Sequence, residues 1–225
     1  MVRHLPFASS RKSGKLVVPI LESERLILRP PRHADIQAMA VWLGDFQVSK
    51  NLARVPHPYG EADAEEFVTS GARKAEDRYA FSIVRRADQL FLGGIGLGRG
   101  QAGHELGYWL GKPFWGFRYA SEAAARLMHF AFEIVGLSSV HAGWFHDNPA
   151  SGHVLAKLGA RHNGSRMRPC LARGAPVLCH EMLLTREAFL SKKAPGFSWA
   201  RDPGRISELR PDRILERGSA LTGQR

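Results

Sequence analysis

"ELGYWLGKPFWGFRYASEAAARL", Glu105 to Leu127, is the stretch on which the reading of this chain turns. Its first six residues alternate as a strand does, with Leu106, Tyr108 and Leu110 on one face and Glu105, Gly107 and Trp109 on the other. The turn "GKPFWGFR" interrupts that pattern. From Ala120 the apolar residues Ala123, Ala124, Leu127, Ala131 and Ile134 fall into one wide stripe, which predicts a helix to about Val135. A strand that runs through a glycine-containing turn straight into a helix presents several free backbone N–H groups, and the helix dipole adds partial positive charge there. Such a turn suits a pyrophosphate. A connection with no ligand has the same outline, so this stretch alone leaves phosphate binding open.

Outward from it, the order of elements is legible. Arg25–Arg29 alternates as a strand until Pro30 and Pro31 stop it. Helical spacing follows in His33–Leu43 and again from Ala64 to Ala72. Tyr79–Val84 and Phe91–Leu97 read as strands about an Ala87-Asp88 turn. Beyond the long helix come a strand at Val140–Phe145, a helix at Ser151–Leu158, and a strand pair near Met167–Ala172 and Val177–Leu184. The sum, β-α-α-β-β-β-α-β-α-β-β, predicts an α/β fold with helices on the faces of one mixed sheet. The run "GGIGLGRG", Gly93–Gly100, invites a nucleotide-loop reading but fails it. Counted from Gly94 the G-x-G-x-x-G register needs glycine at Arg99 and counted from Gly96 it needs one at Gln101; Gly98, Gly100 and Gly103 do meet it, but no helical pattern follows, as the motif requires.

Composition is that of a globular domain, 44% hydrophobic and 24% charged. No run of about 18 apolar residues is present to span a membrane, and no apolar run follows the basic N-terminus as a signal peptide would require. The expectation is a cytoplasmic protein with Cys170 and Cys179 reduced. The net charge of +11 is unevenly placed: +4 falls within residues 1–20 and +4 within residues 190–225. Three parts are therefore expected: a flexible basic arm over 1–20, a domain over 21–190, and a basic, mostly irregular tail over 191–225. Basic tails suit a loose, salt-sensitive contact with a polyanion, or serve only as solvated extensions.

The motifs carry a resemblance to a known family. "GYWLGKPFWGFRYASEA" resembles the acyl-CoA-binding motif of GNAT acetyltransferases, in particular the RimJ/RimL-like branch with its W-G-x-G-Y-A-[ST]-E-A signature. "NPASGHVLAKLGA", Asn148 to Ala160, resembles that branch's second motif. "LTREAF", Leu184 to Phe189, resembles the end of its last strand, and "ERLILRP", Glu24 to Pro30, completes the order over roughly residues 21–190. Two positions depart from the pattern. Arg118 stands where the family usually has glycine, and Ala156 where relatives often carry glutamate.

The resemblance implies an acetyl-CoA cosubstrate and transfer of acetyl to an amine; His146-Asp147 has no third partner at metal-ligand spacing, so no metal is expected. It implies that Trp115, Gly116, Phe117, Arg118, Tyr119, Ala120 and Ser121 wrap the cofactor's phosphates. A backbone N–H near Leu110 would polarise the thioester carbonyl, with Asn148 and Ser151 at the pantetheine end. Ser151 would pass a proton to the leaving sulfur or serve as a helix cap, and this chain has no tyrosine in the helix after Asn148. Glu105, a carboxylate within an otherwise apolar strand, is read either as the general base or as a structural acid beside His104; His141 and His146 are weaker candidates. Within this branch the expected acceptor is a protein N-terminal α-amine of the ribosomal-protein type. The alternatives are a small amine (polyamine, aminoglycoside or amino-acid conjugate) and a non-catalytic acyl-CoA-binding role.

Overall fold

A computed structural model describes residues 19–71 and 79–192, so the expected basic tails lie almost wholly outside the described residues. Eight strands form one sheet in the order β1-β2-β3-β4-β5-β6-β8-β7. The strands are β1 (Leu21–Glu22), β2 (Leu26–Arg29), β3 (Tyr79–Arg85), β4 (Phe91–Gly100), β5 (Gly103–Leu110), β6 (Ser139–Phe145), β7 (Arg161–Cys170) and β8 (Ala175–Thr185). All neighbours pair antiparallel except β5 with β6, which run parallel. The expected mixed α/β sheet is therefore the fold observed.

Helices cover both faces. On one side lie α1 (Ile36–Gly44), the short α2 (Phe46–Ser49) and α3 (Glu61–Glu66), which continues as a π-helical turn over Phe67–Gly71. Met39, Leu43, Val48, Ala64 and Val68 pack there against Phe91, with Trp109 beside them. On the other side lie α4 (Tyr119–His129), prolonged by π-helical Phe130–Ile134, then α5 (Pro149–Leu158) and α6 (Arg186–Ser191). Their buried residues Ala123, Leu127, Phe132, Leu155 and Phe189 close over Leu106, Leu110 and Leu184. The alternation expected of β5 is thus realised, with its apolar face under α4 and Trp109 under α1 and α3.

Two expectations are corrected. The strand expected from Met167 begins at Arg161. "RHNGSR" carries no apolar alternation because β7 is an edge strand exposed along most of its length, and its ladder to β8 holds it rather than burial. "LTREAF" is not all strand. Thr185 ends β8 and its Oγ1 accepts the Ala188 N–H at 3.2 Å, which caps α6. The strand β1 and the helix α2, too short for periodicity to reveal, were not anticipated.

The glycines of β4 also find their reason. A Cβ on Gly93 would sit 2.2 Å from the Trp109 carbonyl oxygen, and one on Gly94 2.7 Å from the Trp109 indole nitrogen. The run gives close approach to β5 and room for Trp109, not a phosphate loop.

Candidate active site

The parallel seam opens partway. β5 and β6 pair at Glu105↔His141 and Leu106↔Ala142, while β6 stays on β8 as far as Phe145. Beyond Leu106 the strands diverge, and a groove of about 1330 Å³ occupies the gap and continues under the loop after α2. Gly107, Tyr108 and Leu110 line one wall, Gly143, Trp144 and Phe145 the other. The Gly111 N–H donates to Leu92 O on β4 at 2.9 Å, so by strand alternation the Leu110 N–H faces the gap.

At one end of the groove the turn before α4 is built for an anion. Lys112–Phe114 makes a single 3₁₀ turn, and the Trp115 indole N–H donates to Leu110 O at 2.9 Å, fastening the turn to the end of β5. Gly116 has φ +83° and Arg118 φ +64°, so two left-handed residues swing the chain into the helix. Among the described residues, the backbone N–H groups from Gly116 to Ser121 find no protein acceptor, and the first bond of the helix runs from Glu122 N to Arg118 O. A left-handed arginine costs roughly 1–2 kcal/mol relative to its ordinary backbone angles. Trp115, Gly116, Arg118, Tyr119, Ala120 and Ser121 all line the groove. Phe117 does not. It is exposed and stacks on the Tyr119 ring, centroids 5.9 Å apart.

Glu122, in the motif but given no role by the sequence, fixes this helix start. Buried, it accepts from Ser23 Oγ and Arg25 N at 2.8 Å and from Arg25 Nε at 2.7 Å, while the Arg25 guanidinium lies 4.8 Å over the Tyr119 ring. The glutamate ties α4 to β1 and β2. It takes no part in the groove.

Beside the gap, Asn148 is the N-cap of α5, with Pro149 at the first helical turn and its side-chain oxygen 3.4 Å from Ser151 N. The cap role weighed for Ser151 thus falls to Asn148. The Ser151 hydroxyl instead lies 2.9 Å from the Tyr108 hydroxyl, which is also 3.1 Å from Ser151 O. Burial pushes the Tyr108 phenol up to about 12 against the lowering effect of the Ser151 contact, so it stays protonated and donates.

Across the sheet, Glu105 faces the other side of the groove. Arg168 Nη1 donates to Glu105 Oε1. The same guanidinium holds Glu181 with Nε and Nη2 at 2.7 and 2.8 Å, and Arg166 Nε adds a 2.8 Å bond to Glu181. Burial would raise the Glu181 carboxyl, but these arginines outweigh it and hold it below the usual range. Glu105 Oε2 accepts no bond among the described residues and lies beside Gly100, and Glu105 lines the groove. His141 lies opposite Glu105 on β6, and exposed His146 stands past the end of that strand, outside the groove. Outside the groove, Arg173 joins two residues of its lining, bonding Lys50 O at 2.8 Å and Asp147 Oδ1 at 3.0 Å. Among the described residues no three His, Cys, Asp or Glu side chains converge as a metal-ligand set, and both cysteines are buried and free.

Tyr108 and Arg168 are the groove residues that sequence reasoning missed. Tyr108 lay inside a quoted motif, and its period-2 position put it on the α5 side. Arg168 lies 63 residues from Glu105, a pairing that no local pattern encodes.

A sheet parted at its parallel seam, with free N–H groups at a helix start on its rim, is the architecture of an acyl-CoA-dependent transferase. Residues 25–161 match the family model for the acetyltransferase (GNAT) domain, and the chain belongs to that family. It is an acetyl-CoA-dependent N-acetyltransferase. Over 162 residues it is 29% identical to a protein named uncharacterized N-acetyltransferase YoaA from Bacillus subtilis (strain 168), covering 70% of this chain and 92% of that one. Its fold is similar to that of Mycobacterium smegmatis RimJ in complex with CoA-disulfide: TM-score 0.69, 20% identity, 80% of this chain and 96% of the other. It is also similar to the ribosomal-protein-S5-alanine acetyltransferase of Vibrio fischeri, with TM-score 0.64, 16% identity, and coverage of 75% and 97%. No helix among the described residues is long and apolar enough to cross a membrane.

Proposed function

We propose that this enzyme acetylates a protein N-terminal α-amine of the ribosomal-protein type. The observation that carries the reading is the groove's extent. It runs on from the parted seam into a hollow bounded by Lys50–Val55, Tyr79–Ser82 and Arg166–Arg168, room for a chain end rather than for a small amine alone. The RimJ/RimL-like motifs support it, as does the fold neighbour named a ribosomal-protein-S5-alanine acetyltransferase. Thiol release measured with an acceptor panel tests it: N-terminal peptides should turn over, polyamines and aminoglycosides should not. An N-terminal proteomic comparison of cells with and without the protein should then expose the acceptor. Preference for a small amine would overturn the reading.

Acetyl-CoA supplies an activated thioester; the rest is done by this chain. The N–H groups from Gly116 to Ser121 and the Arg118 guanidinium hold the diphosphate. The Leu110 N–H directs a donor at the carbonyl oxygen, where charge develops. Glu105 Oε2 takes a proton from the incoming amine, directly or through one water, while Arg168 fixes the carboxylate by its other oxygen. Asn148 positions α5, and the Ser151 Oγ–H is offered to the departing sulfur. The basic tails raise encounter with a polyanionic assembly by long-range attraction.

Two measurements follow directly. CoA at 100 times its dissociation constant should stabilise the protein by about 2.7 kcal/mol, read as a rise in melting temperature; no shift at millimolar CoA would sink the diphosphate assignment. Arg118→Gly should act in opposite directions on two readouts. Relief of the left-handed strain, partly offset by glycine's entropy, should stabilise the free protein by about 0.5–1 kcal/mol. Loss of the charge-assisted contact should weaken CoA about tenfold and flatten its salt dependence. Unchanged affinity would show that the guanidinium points away from the ligand.

A further inference from the structure

We infer that Tyr108 is a positioning residue that aims the Ser151 hydroxyl at the leaving sulfur; this rests on the reading of Ser151 given above. A serine in the first turn of a helix ordinarily has local company, since its hydroxyl can turn back onto a carbonyl three or four residues earlier. Ser151 makes no such bond among the described residues. Its hydroxyl goes instead to Tyr108, 2.9 Å away on a different element.

The proton inventory makes the contact directional. A buried phenol that stays protonated must donate to something, and two acceptors are in reach, Ser151 Oγ at 2.9 Å and Ser151 O at 3.1 Å. When the phenol donates to Oγ, the serine's own hydrogen is released to point into the groove that both side chains line. When it donates to the carbonyl oxygen, the serine hydrogen is drawn onto the phenol oxygen. The phenol therefore switches Ser151 between a donor aimed at the groove and a donor folded back, and a ligand acceptor in the groove selects the first. Packing places the helix: a Cβ on Gly152 would lie 2.7 Å from the Trp144 ring, so α5 sits hard against β6. The helix after Asn148 has no tyrosine of its own. A tyrosine hydroxyl reaches it from the strand.

The test titrates the thiol of bound CoA by its ultraviolet thiolate absorbance in the wild type, Tyr108→Phe, Ser151→Ala and the double variant, with desulfo-CoA binding as the control. Ser151→Ala and Tyr108→Phe should each raise the pKa of the bound thiol, while desulfo-CoA binds all four proteins alike. Turnover should fall about tenfold in each single variant with the acetyl-CoA KM unchanged, and the double variant should be no worse than either single, as residues acting in series require. A shifted thiol in Ser151→Ala alone, with Tyr108→Phe like wild type, overturns the Tyr108 inference and leaves the Ser151 reading standing. No shift in Ser151→Ala overturns both. Additive losses in the double variant would make Tyr108 an independent contributor and also overturn the inference. Thermal melts of Tyr108→Phe guard against misfolding; should it melt early, 3-fluorotyrosine at position 108 keeps the fold and should lower the bound-thiol pKa further, and no change there would count against the inference.

Discussion

Replacing Asp35 with alanine is expected to remove about 3–5 kcal/mol of stability, the usual cost of leaving a buried charge without its partner. Asp35 is 3% exposed and sits at the entry to α1. It accepts two parallel bonds from Arg29 at 2.7 Å each, one from Ser82 Oγ at 2.7 Å and one from Arg32 N at 3.0 Å. The carboxylate joins β2, β3 and the helix that flanks the groove, so its loss should be felt across three elements. In a protein of this size the melting temperature should drop by about 10 °C. A double replacement of Arg29 and Asp35 by apolar residues of similar volume should recover most of the loss. Equal melting in wild type and Asp35→Ala would mean that the pair is solvent-screened after all.

The same carboxylate sets an acid limit. Burial alone would raise its pKa, but the bonds from Arg29, Ser82 and Arg32 N–H outweigh it and hold it below its ordinary value. A depressed folded pKa contributes stability above the unfolded value of about 3.9, lost as pH falls through the folded one. The wild type should therefore lose this increment progressively below about pH 4. Asp35→Ala, having no such group, should show a shallower acid slope, measured by urea denaturation from neutral pH downward.

The second large effect concerns Glu105. Glu105→Gln keeps the shape and can still accept from Arg168, yet it cannot take a proton, so turnover should fall by about 10²-fold. The acetyl-CoA KM should barely move, because Glu105 faces the acceptor side and the diphosphate turn lies on the far rim. Arg168 keeps its two bonds to Glu181, so melting should change little. A near-normal turnover would move the role to water or to His141.

Much of this was legible beforehand, for reasons that vary along the chain. The order of strands and helices from β2 to β8 followed from periodicity, because most elements bury one face and solvate the other. The first part of β7, from Arg161 to Arg166, escaped because an edge strand held by its ladder needs no apolar alternation. The turn proposed to hold the diphosphate stood out since free backbone N–H groups before a helix are a feature local in sequence. Asn148 and Ser151 both line the groove, and the helix cap weighed for Ser151 belongs to Asn148: three residues apart, either could cap the helix, and no local signal decides between them. Glu105 was picked out by its polarity within a strand, but its bond to Arg168 crosses β6 and β8, and no local signal reports a contact across two intervening strands.

The parting of β5 from β6 also bears on how the molecule would breathe. β1 to β5 form a meander of strands adjacent in sequence, and β6 to β8 a second antiparallel group. Between them the ladder consists of Glu105–Leu106 against His141–Ala142, whereas β4 and β5 stay paired from Gly93↔Leu110 to Gly100↔Gly103. Each group can keep its own ladder while the angle between them widens, with α4 and α5 acting as the strap across one face. Amide deuteration should find the weak line first: N–H groups of β5 that point toward β6 should exchange ahead of those that point toward β4. The same scissoring would let a bulky acceptor enter and an acetylated one leave without a single rung of either half being broken.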